Sequence, residues 1–171
     1  MSKSSWLKRT ALLVVLAGSA ALVGSSPAAA TPSAATSSAP AAAAALPART
    51  TLQDLATGFV LDSNHSGEVY AIGRNGGAYQ TWIVTPSDHG TVTLHSAATN
   101  RCLDSNTSRQ VYTLGCNGGS FQKWLVKSSD FGTVVLQNLA TGFVLDSNHE
   151  RSVYTMPFNG GSYQKWMPAG A

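Results

Sequence analysis

Residues 52–82 read LQDLATGFVLDSNHSGEVYAIGRNGGAYQTW, residues 94–124 read LHSAATNRCLDSNTSRQVYTLGCNGGSFQKW, and residues 136–166 read LQNLATGFVLDSNHERSVYTMPFNGGSYQKW. The three strings share one register: Asp62, Asp104 and Asp146 lie 42 residues apart, as do Trp82, Trp124 and Trp166. A repeat of this length is one supersecondary unit that cannot bury its own apolar face and packs on its copies. A pocket built inside one unit is therefore expected three times.

Each unit contains short strand-like runs. In the first they are residues 51–55, 59–61, 69–72 and 82–84, separated by Thr57-Gly58, by the stretch from Asp62-Ser63-Asn64 to Gly67, and by Asn75-Gly76-Gly77. These separators are turn formers, and no window keeps a helical period over three turns. Four strands per unit predict about twelve in an all-β domain. A propeller closes with four or more blades, so three copies do not make one. Three four-stranded units fit a pseudo-threefold β-trefoil, a barrel capped by three hairpins. Leu52, Leu61, Val69 and Trp82, with Leu94, Leu103, Val111, Trp124 and Leu136, Leu145, Val153, Trp166, are expected to fill its centre. The two-step spacings Phe59/Leu61 and Gln80/Trp82 predict that each pair shares one strand face.

Outside the repeats, residues 1–30 carry Lys3, Lys8 and Arg9, then a 13-residue apolar run broken by Gly18 and Ser19, then an Ala-rich end. This is the layout of a secretory signal peptide, with cleavage expected after Ala30, and the run is shorter than the ~20 residues a span needs. A secreted protein with no membrane insertion is expected. Residues 31–48 are mostly Ala, Pro, Ser and Thr and read as a linker or pro-segment. The folded domain is then 49–171, with repeats at 49–90, 91–132 and 133–171. The net charge of +3 comes from 11 basic and 8 acidic residues. Without the three leader cations the balance is neutral, which argues against nucleic acid as a partner.

Cys102 and Cys116 both lie in the second repeat, 14 residues apart. In an exported protein they are expected to pair. The first repeat has Val60 and Arg74 at these positions, and the third has Val144 and Phe158. An apolar pair replacing the bridge indicates a staple, worth about 3 kcal/mol for a loop of this size. No third ligand shares the spacing, so no metal is expected. No G-x-S-x-G, H-E-x-x-H or P-loop string occurs, and no cofactor is expected.

Residues identical in all three copies fall into two groups. The Leu, Val, Trp and Gln positions read as core and strand registration. Asp62, Asp104, Asp146, Tyr70, Tyr112, Tyr154, Asn75, Asn117 and Asn159 do not explain themselves as core. An ionised Asp accepts at two oxygens, an Asn amide both donates and accepts, and a Tyr offers a ring face and a hydroxyl. That combination suits the hydroxyls and C–H faces of a sugar. Asp in Asp-Ser-Asn and Asn in Asn-Gly-Gly are equally common as structural turn residues. The residues alone leave both readings open. As turn residues, the three aspartates are expected to tolerate Ala without loss of the fold.

Gln80-Thr81-Trp82, Gln122-Lys123-Trp124 and Gln164-Lys165-Trp166 match the QxW signature, and the chain resembles the ricin-type β-trefoil lectins. The longer string LDSN…VY…NGG.YQ.W, present three times across 49–166, is similar to the actinohivin-like lectins of that family. The resemblance implies recognition of mannose-type glycans through Asp62, Tyr70, Asn75 and Tyr79, through Asp104, Tyr112, Asn117 and Phe121, and through Asp146, Tyr154, Asn159 and Tyr163. Many galactose-binding ricin-type sites have Asn just before the QxW glutamine, where this chain has Tyr79, Phe121 and Tyr163. Phe121 lacks a hydroxyl, so the second site is expected to be weaker. His65 and His149 follow Asp-Ser-Asn in two copies and read as exposed loop residues or rim contacts.

Three other functions compete with a monomeric mannose lectin of three shallow pockets. A glycoside hydrolase needs two carboxylates ~5–10 Å apart, and the repeated acids are expected well separated around the barrel. A trefoil protease inhibitor generally presents one unique rigid loop, whereas these loops repeat. A galactose- or xylan-type carbohydrate-binding module is the third alternative.

Overall fold

The short apolar runs of each repeat become four strands. The computed structural model describes residues 46–171; the expected signal peptide and most of the linker lie outside the described residues. The first repeat supplies β1 (Arg49–Asp54), β2 (Val60–Ser63), β3 (Val69–Ile72) and β4 (Trp82–Pro86). The second supplies β5 (Val92–Ser96), β6 (Cys102–Ser105), β7 (Val111–Leu114) and β8 (Trp124–Ser128). The third supplies β9 (Val134–Asn138), β10 (Val144–Ser147), β11 (Val153–Met156) and β12 (Trp166–Gly170). Helical geometry among the described residues is confined to single 3-10 turns.

Six strands close a barrel. β1 pairs with β4, β4 with β5, β5 with β8, β8 with β9, β9 with β12, and β12 returns to β1, all antiparallel. Closure leaves no barrel edge unpaired. The remaining strands form three hairpins, β2–β3, β6–β7 and β10–β11. These are laced into a ring by backbone bonds from Thr113 N to Gly67 O (2.7 Å), Thr155 N to Arg109 O (2.9 Å) and Ala71 N to Arg151 O (3.0 Å). Barrel plus threefold hairpin cap is the β-trefoil expected from the repeat.

The three Leu/Leu/Val/Trp sets do form the core. Each buried indole also satisfies its polar atom: Trp82, Trp124 and Trp166 Nε1 donate to the carbonyls of Leu61, Leu103 and Leu145 at 3.1–3.2 Å. The barrel strand is thereby pinned to the hairpin strand. The two-step reading fails for both pairs, because Phe59 precedes β2 and the glutamines precede their strands. Gln80, Gln122 and Gln164 end the 3-10 turns at Ala78–Gln80, Ser120–Gln122 and Ser162–Gln164 and are not on the strand that begins at Trp.

The joints between repeats differ in chemistry. The guanidinium of Arg109 lies 5.6 Å from the Phe143 ring centroid, and that of Arg151 lies 6.0 Å from Phe59. At the third joint the partners are exchanged. Gly67 replaces the arginine, Arg101 replaces the phenylalanine, and Arg101 Nη1 donates to His65 O at 3.2 Å. Gly67 has φ +97°, and a Cβ there would meet Thr113 O at 2.7 Å, so the exchange suits the tightest joint.

Cys102 and Cys116 are disulfide-bonded, as expected, tying β6 to the loop after β7. The apolar substitute in the third repeat is not a packed pair. Val144 is buried, but Phe158 is 61 % exposed.

Asp54 and Asn138 occupy equivalent positions at the ends of β1 and β9. Each uses Oδ1 to cap the following turn, Asp54 accepting from the Ala56 and Thr57 amides and Asn138 from those of Ala140 and Thr141. Asn138 Nδ2 donates to Phe121 O at 2.7 Å, whereas Asp54 Oδ2 is buried without a partner. An orphaned buried acceptor costs about 1–3 kcal/mol. The Asp54→Asn substitution is expected to stabilise the protein by ~1 kcal/mol, with its new amide donating to the equivalent carbonyl of Tyr163. An unchanged or lower urea midpoint would refute this.

Candidate functional site

The register of each hairpin places the repeated Asp directly opposite the repeated Tyr: Asp62 faces Tyr70, Asp104 faces Tyr112, and Asp146 faces Tyr154. Directly opposed side chains on antiparallel strands stand about 5 Å apart at Cβ. The tyrosines are half-buried, and their hydroxyls donate to the carbonyls of Ser63, Ser105 and Ser147 at 3.2–3.4 Å. The aspartates are only 2 %, 3 % and 5 % exposed. They sit within strands and are not turn residues, so the expectation that Ala would be harmless there is withdrawn.

The buried glutamine completes the arrangement. Gln80, Gln122 and Gln164 accept at Oε1 from the amides of Asn75, Asn117 and Asn159 at 2.8–2.9 Å. Their Nε2 atoms donate to the carbonyls of Gly73, Gly115 and Pro157 at 3.0–3.1 Å. In the second and third repeats Nε2 also donates to Asp104 Oδ2 and Asp146 Oδ2, both at 2.8 Å. One carboxylate oxygen in each of these two sites is thus committed inward.

The structural-turn reading holds for asparagine. Asn75, Asn117 and Asn159 Oδ1 accept from Gly77, Gly119 and Gly161 N at 2.7–2.8 Å. This fixes the exposed side chains and commits the oxygen to the turn. At the first repeat, where burial raises the Asp62 pKa, the Asn75 side chain also lowers it by hydrogen bonding. Tyr79, Phe121 and Tyr163 project from the 3-10 turns and are exposed at the rim. Each repeat therefore brings its four sequence-selected residues onto one hairpin and one turn, with the glutamine bonded to the asparagine amide in all three and to the aspartate in two. The candidate face combines a carboxylate, an amide and aromatic surface.

Burial pushes all three carboxyls above the ordinary aspartate range, opposed by the glutamine hydrogen bonds. At Asp146 the nearby Asp54 charge adds to the rise. Burial, and then the facing carboxylate, raises the tyrosine hydroxyls, which keeps them protonated as donors at neutral pH.

His149 packs edge-on against Tyr163 with ring centroids 5.6 Å apart, a rim contact of the kind expected for the loop histidines. Two features are not evident in the sequence. Glutamine reads there as registration alone. The pseudo-threefold end carries a depression of about 1100 Å³ walled by Val69, Val111, Val153 and the three hairpin tyrosines.

The family model for the ricin-type β-trefoil lectin domain matches residues 48–166. No curated protein sequence matches the chain. Among solved structures, the designed threefold-symmetric protein ThreeFoil is similar at TM-score 0.68 and 21 % identity, over 73 % of this chain and 100 % of its own. SeviL, solved bound to the asialo-GM1 saccharide, is similar at TM-score 0.63 and 18 % identity, over 72 % and 98 %. An exo-β-1,3-galactanase from Clostridium thermocellum is similar at TM-score 0.66 and 19 % identity, over 74 % of this chain but 31 % of the enzyme. At these identities the structural likeness establishes the shared trefoil fold.

Replacing Gln122 with Met leaves the Asn117 amide, the Gly115 carbonyl and Asp104 Oδ2 without their shared partner. A loss of more than ~2 kcal/mol in urea unfolding is expected, against a much smaller loss for Asp104→Asn, which can still accept from Gln122. Equal losses would show that the glutamine is a passive filler.

Proposed function

The chain belongs to the ricin-type β-trefoil lectin family, and on that premise we propose that it is an exported, monomeric lectin for mannose-terminated oligosaccharides. The observation that carries the proposal is the threefold recurrence of one face: a buried carboxylate, held by glutamine in the second and third repeats, an Asx-fixed asparagine and a rim aromatic. A sugar hydroxyl donates to the carboxylate, a second accepts from the amide, and the C–H face of the ring lies on the aromatic. The mannose preference is supported by the actinohivin-like motif and by Tyr79, Phe121 and Tyr163 standing where many galactose sites have asparagine. The reading is non-catalytic. Asp54, the second acid near Asp146, has no exposed surface and cannot serve as the partner carboxylate of a hydrolase there.

Each pocket is shallow, because a sugar offers few apolar atoms and its hydroxyls must first give up water. A single site at about millimolar strength contributes ~4 kcal/mol. Three pockets on one rigid barrel raise avidity for branched or dense glycans by roughly 10²–10⁴.

Free mannosides are expected to compete with binding to a mannan surface, and lactose is not. Elution from a galactose resin by lactose would overturn the specificity. Asp104→Asn is expected to leave monosaccharide binding at the other two sites intact while sharply reducing retention on dense mannan.

The pH response has opposite signs for binding and folding. With a folded-state pKa above the unfolded one, each ionised aspartate destabilises the fold at neutral pH, and that cost is relieved as pH falls through the folded value. The acceptor oxygen is lost in the same window. Mannan binding is therefore expected to fall with a midpoint above the usual aspartate range, without a parallel loss of stability from these groups. A midpoint at or below the ordinary aspartate value, followed by surface binding across a pH series, would remove the carboxylates from the site.

A further inference from the structure

The three repeats share a wedge between the second residue from the end of β1, β5 or β9, the start of the next hairpin strand, and the loop that precedes the site asparagine. The first repeat places Gln53, Val60 and Arg74 there, the third places Gln137, Val144 and Phe158, and the second places His95, Cys102 and Cys116. Gln53 and Gln137 brace the adjoining turn, donating through Nε2 to Gly58 O and Gly142 O at 2.7 and 2.6 Å. His95 makes no such brace. Its Nδ1 lies 3.4 Å from Cys116 Sγ and 3.8 Å from Cys102 Sγ, and the ring is half-buried against the bridge. Histidine thus occurs at this position only in the repeat that carries the cysteine pair.

Nδ1 is the ring nitrogen nearer to Cys116, and Thr93 offers the other nitrogen a partner. Thr93 Oγ1 lies 2.9 Å from His95 Nε2 and is itself placed to donate to Thr85 O at 3.5 Å. With the Thr93 hydroxyl donating to Thr85 O, its oxygen accepts from Nε2–H and the Nδ1 lone pair faces Cys116 Sγ; Cys102 Sγ lies 3.8 Å from both ring nitrogens. A ring nitrogen held by an outer hydroxyl while the other faces a sulfur is the arrangement that orients a metal-ligating histidine.

We propose that on reduction of the bridge His95, Cys102 and Cys116 form an N,S,S site for a thiophilic divalent ion such as Zn²⁺. A dithiol supplies two electrons and two protons; the S–S bond breaks to two thiols while the reductant closes to its own disulfide. The metal then displaces both thiol protons to solvent and binds two thiolates and Nδ1, with water in the fourth position. In a tetrahedral site with Zn–N about 2.0–2.1 Å and Zn–S about 2.3 Å, each N···S separation is about 3.5 Å. The two Nδ1···Sγ distances already bracket that value. Only the sulfurs must part, to about 3.8 Å by the same geometry, and Cys116 is on the exposed side of the wedge, free to move outward. Cys116 immediately precedes Asn117, and Cys102 stands two residues before Asp104. The ion would therefore replace the covalent staple beneath the second glycan site.

The test is anaerobic titration of the full chain, reduced by a dithiol and then freed of it, with Co²⁺ followed by Zn²⁺. One equivalent of Co²⁺ with a thiolate-to-cobalt charge-transfer band, displaced by Zn²⁺, is expected. His95→Gln copies the residue of the other two repeats and is expected to weaken Co²⁺ binding at least about tenfold. The double variant Cys102→Val/Cys116→Arg copies the first repeat and is expected to give no charge-transfer band. Absence of the band in the wild type, equal affinity in His95→Gln, or equal binding by the double variant would overturn the proposal. So would a reduced chain that loses its β signal in far-UV circular dichroism and does not regain it with Co²⁺.

Discussion

A single buried glutamine side chain in each repeat couples the fold to the candidate site. Its oxygen receives the amide of the site asparagine, and its nitrogen holds the loop carbonyl that arrives from the hairpin. In two repeats the same nitrogen also holds the aspartate carboxylate. The next residue but one is the core tryptophan, whose indole nitrogen fastens the hairpin strand just before that aspartate. Core, hairpin and turn are therefore set by two adjacent side-chain anchors. A buried polar network of this kind is costly when partly satisfied and rigidifying when complete. Completion here is achieved largely with backbone groups, which cannot rotate away.

The threefold arrangement shows which positions had freedom to diverge. Joints between repeats keep their geometry while exchanging chemistry: arginine over phenylalanine at two of them, glycine with a reaching arginine at the third. Because each hairpin is tied to the next by a backbone bond, the side chains around the joint can vary without moving the ring. The aspartates have no such latitude. They are almost wholly buried, and their cost in the ionised form is offset by the glutamine, by nearby backbone donors and, at Asp62 and Asp146, by the Asn75 and Tyr154 side chains.

The repeat period, turn signals and apolar positions made the barrel and hairpins legible, because each is a local property multiplied by three. Leu52, Leu61, Val69, Trp82 and their copies needed no long-range knowledge to be assigned to the core. The site was legible as a list but not as a set of roles. Asp62 looks like a turn residue next to Ser63 and Asn64, yet the strand runs through it and the turn begins afterwards. Asn75 looks like both donor and acceptor, yet its oxygen closes a turn on Gly77. Such losses of capacity are invisible in sequence because they depend on which partner arrives from elsewhere. His95 is the sharpest case: it precedes Cys102 by seven positions on a different strand, and only the β5–β6 register sets it opposite that cysteine.

The outer wedge and the candidate site lie on the same few residues of chain, yet the wedge varies among the repeats where the site asparagine does not. In the wedge, the residue before the site asparagine is Arg74, Cys116 or Phe158, and it bonds Thr51, bonds Cys102 or turns outward. One position later the asparagine is invariant and makes the same two hydrogen bonds each time. The Asx turn demands a side-chain acceptor at the asparagine and asks nothing of the side chain before it, so the contrast between the neighbours follows from the turn itself.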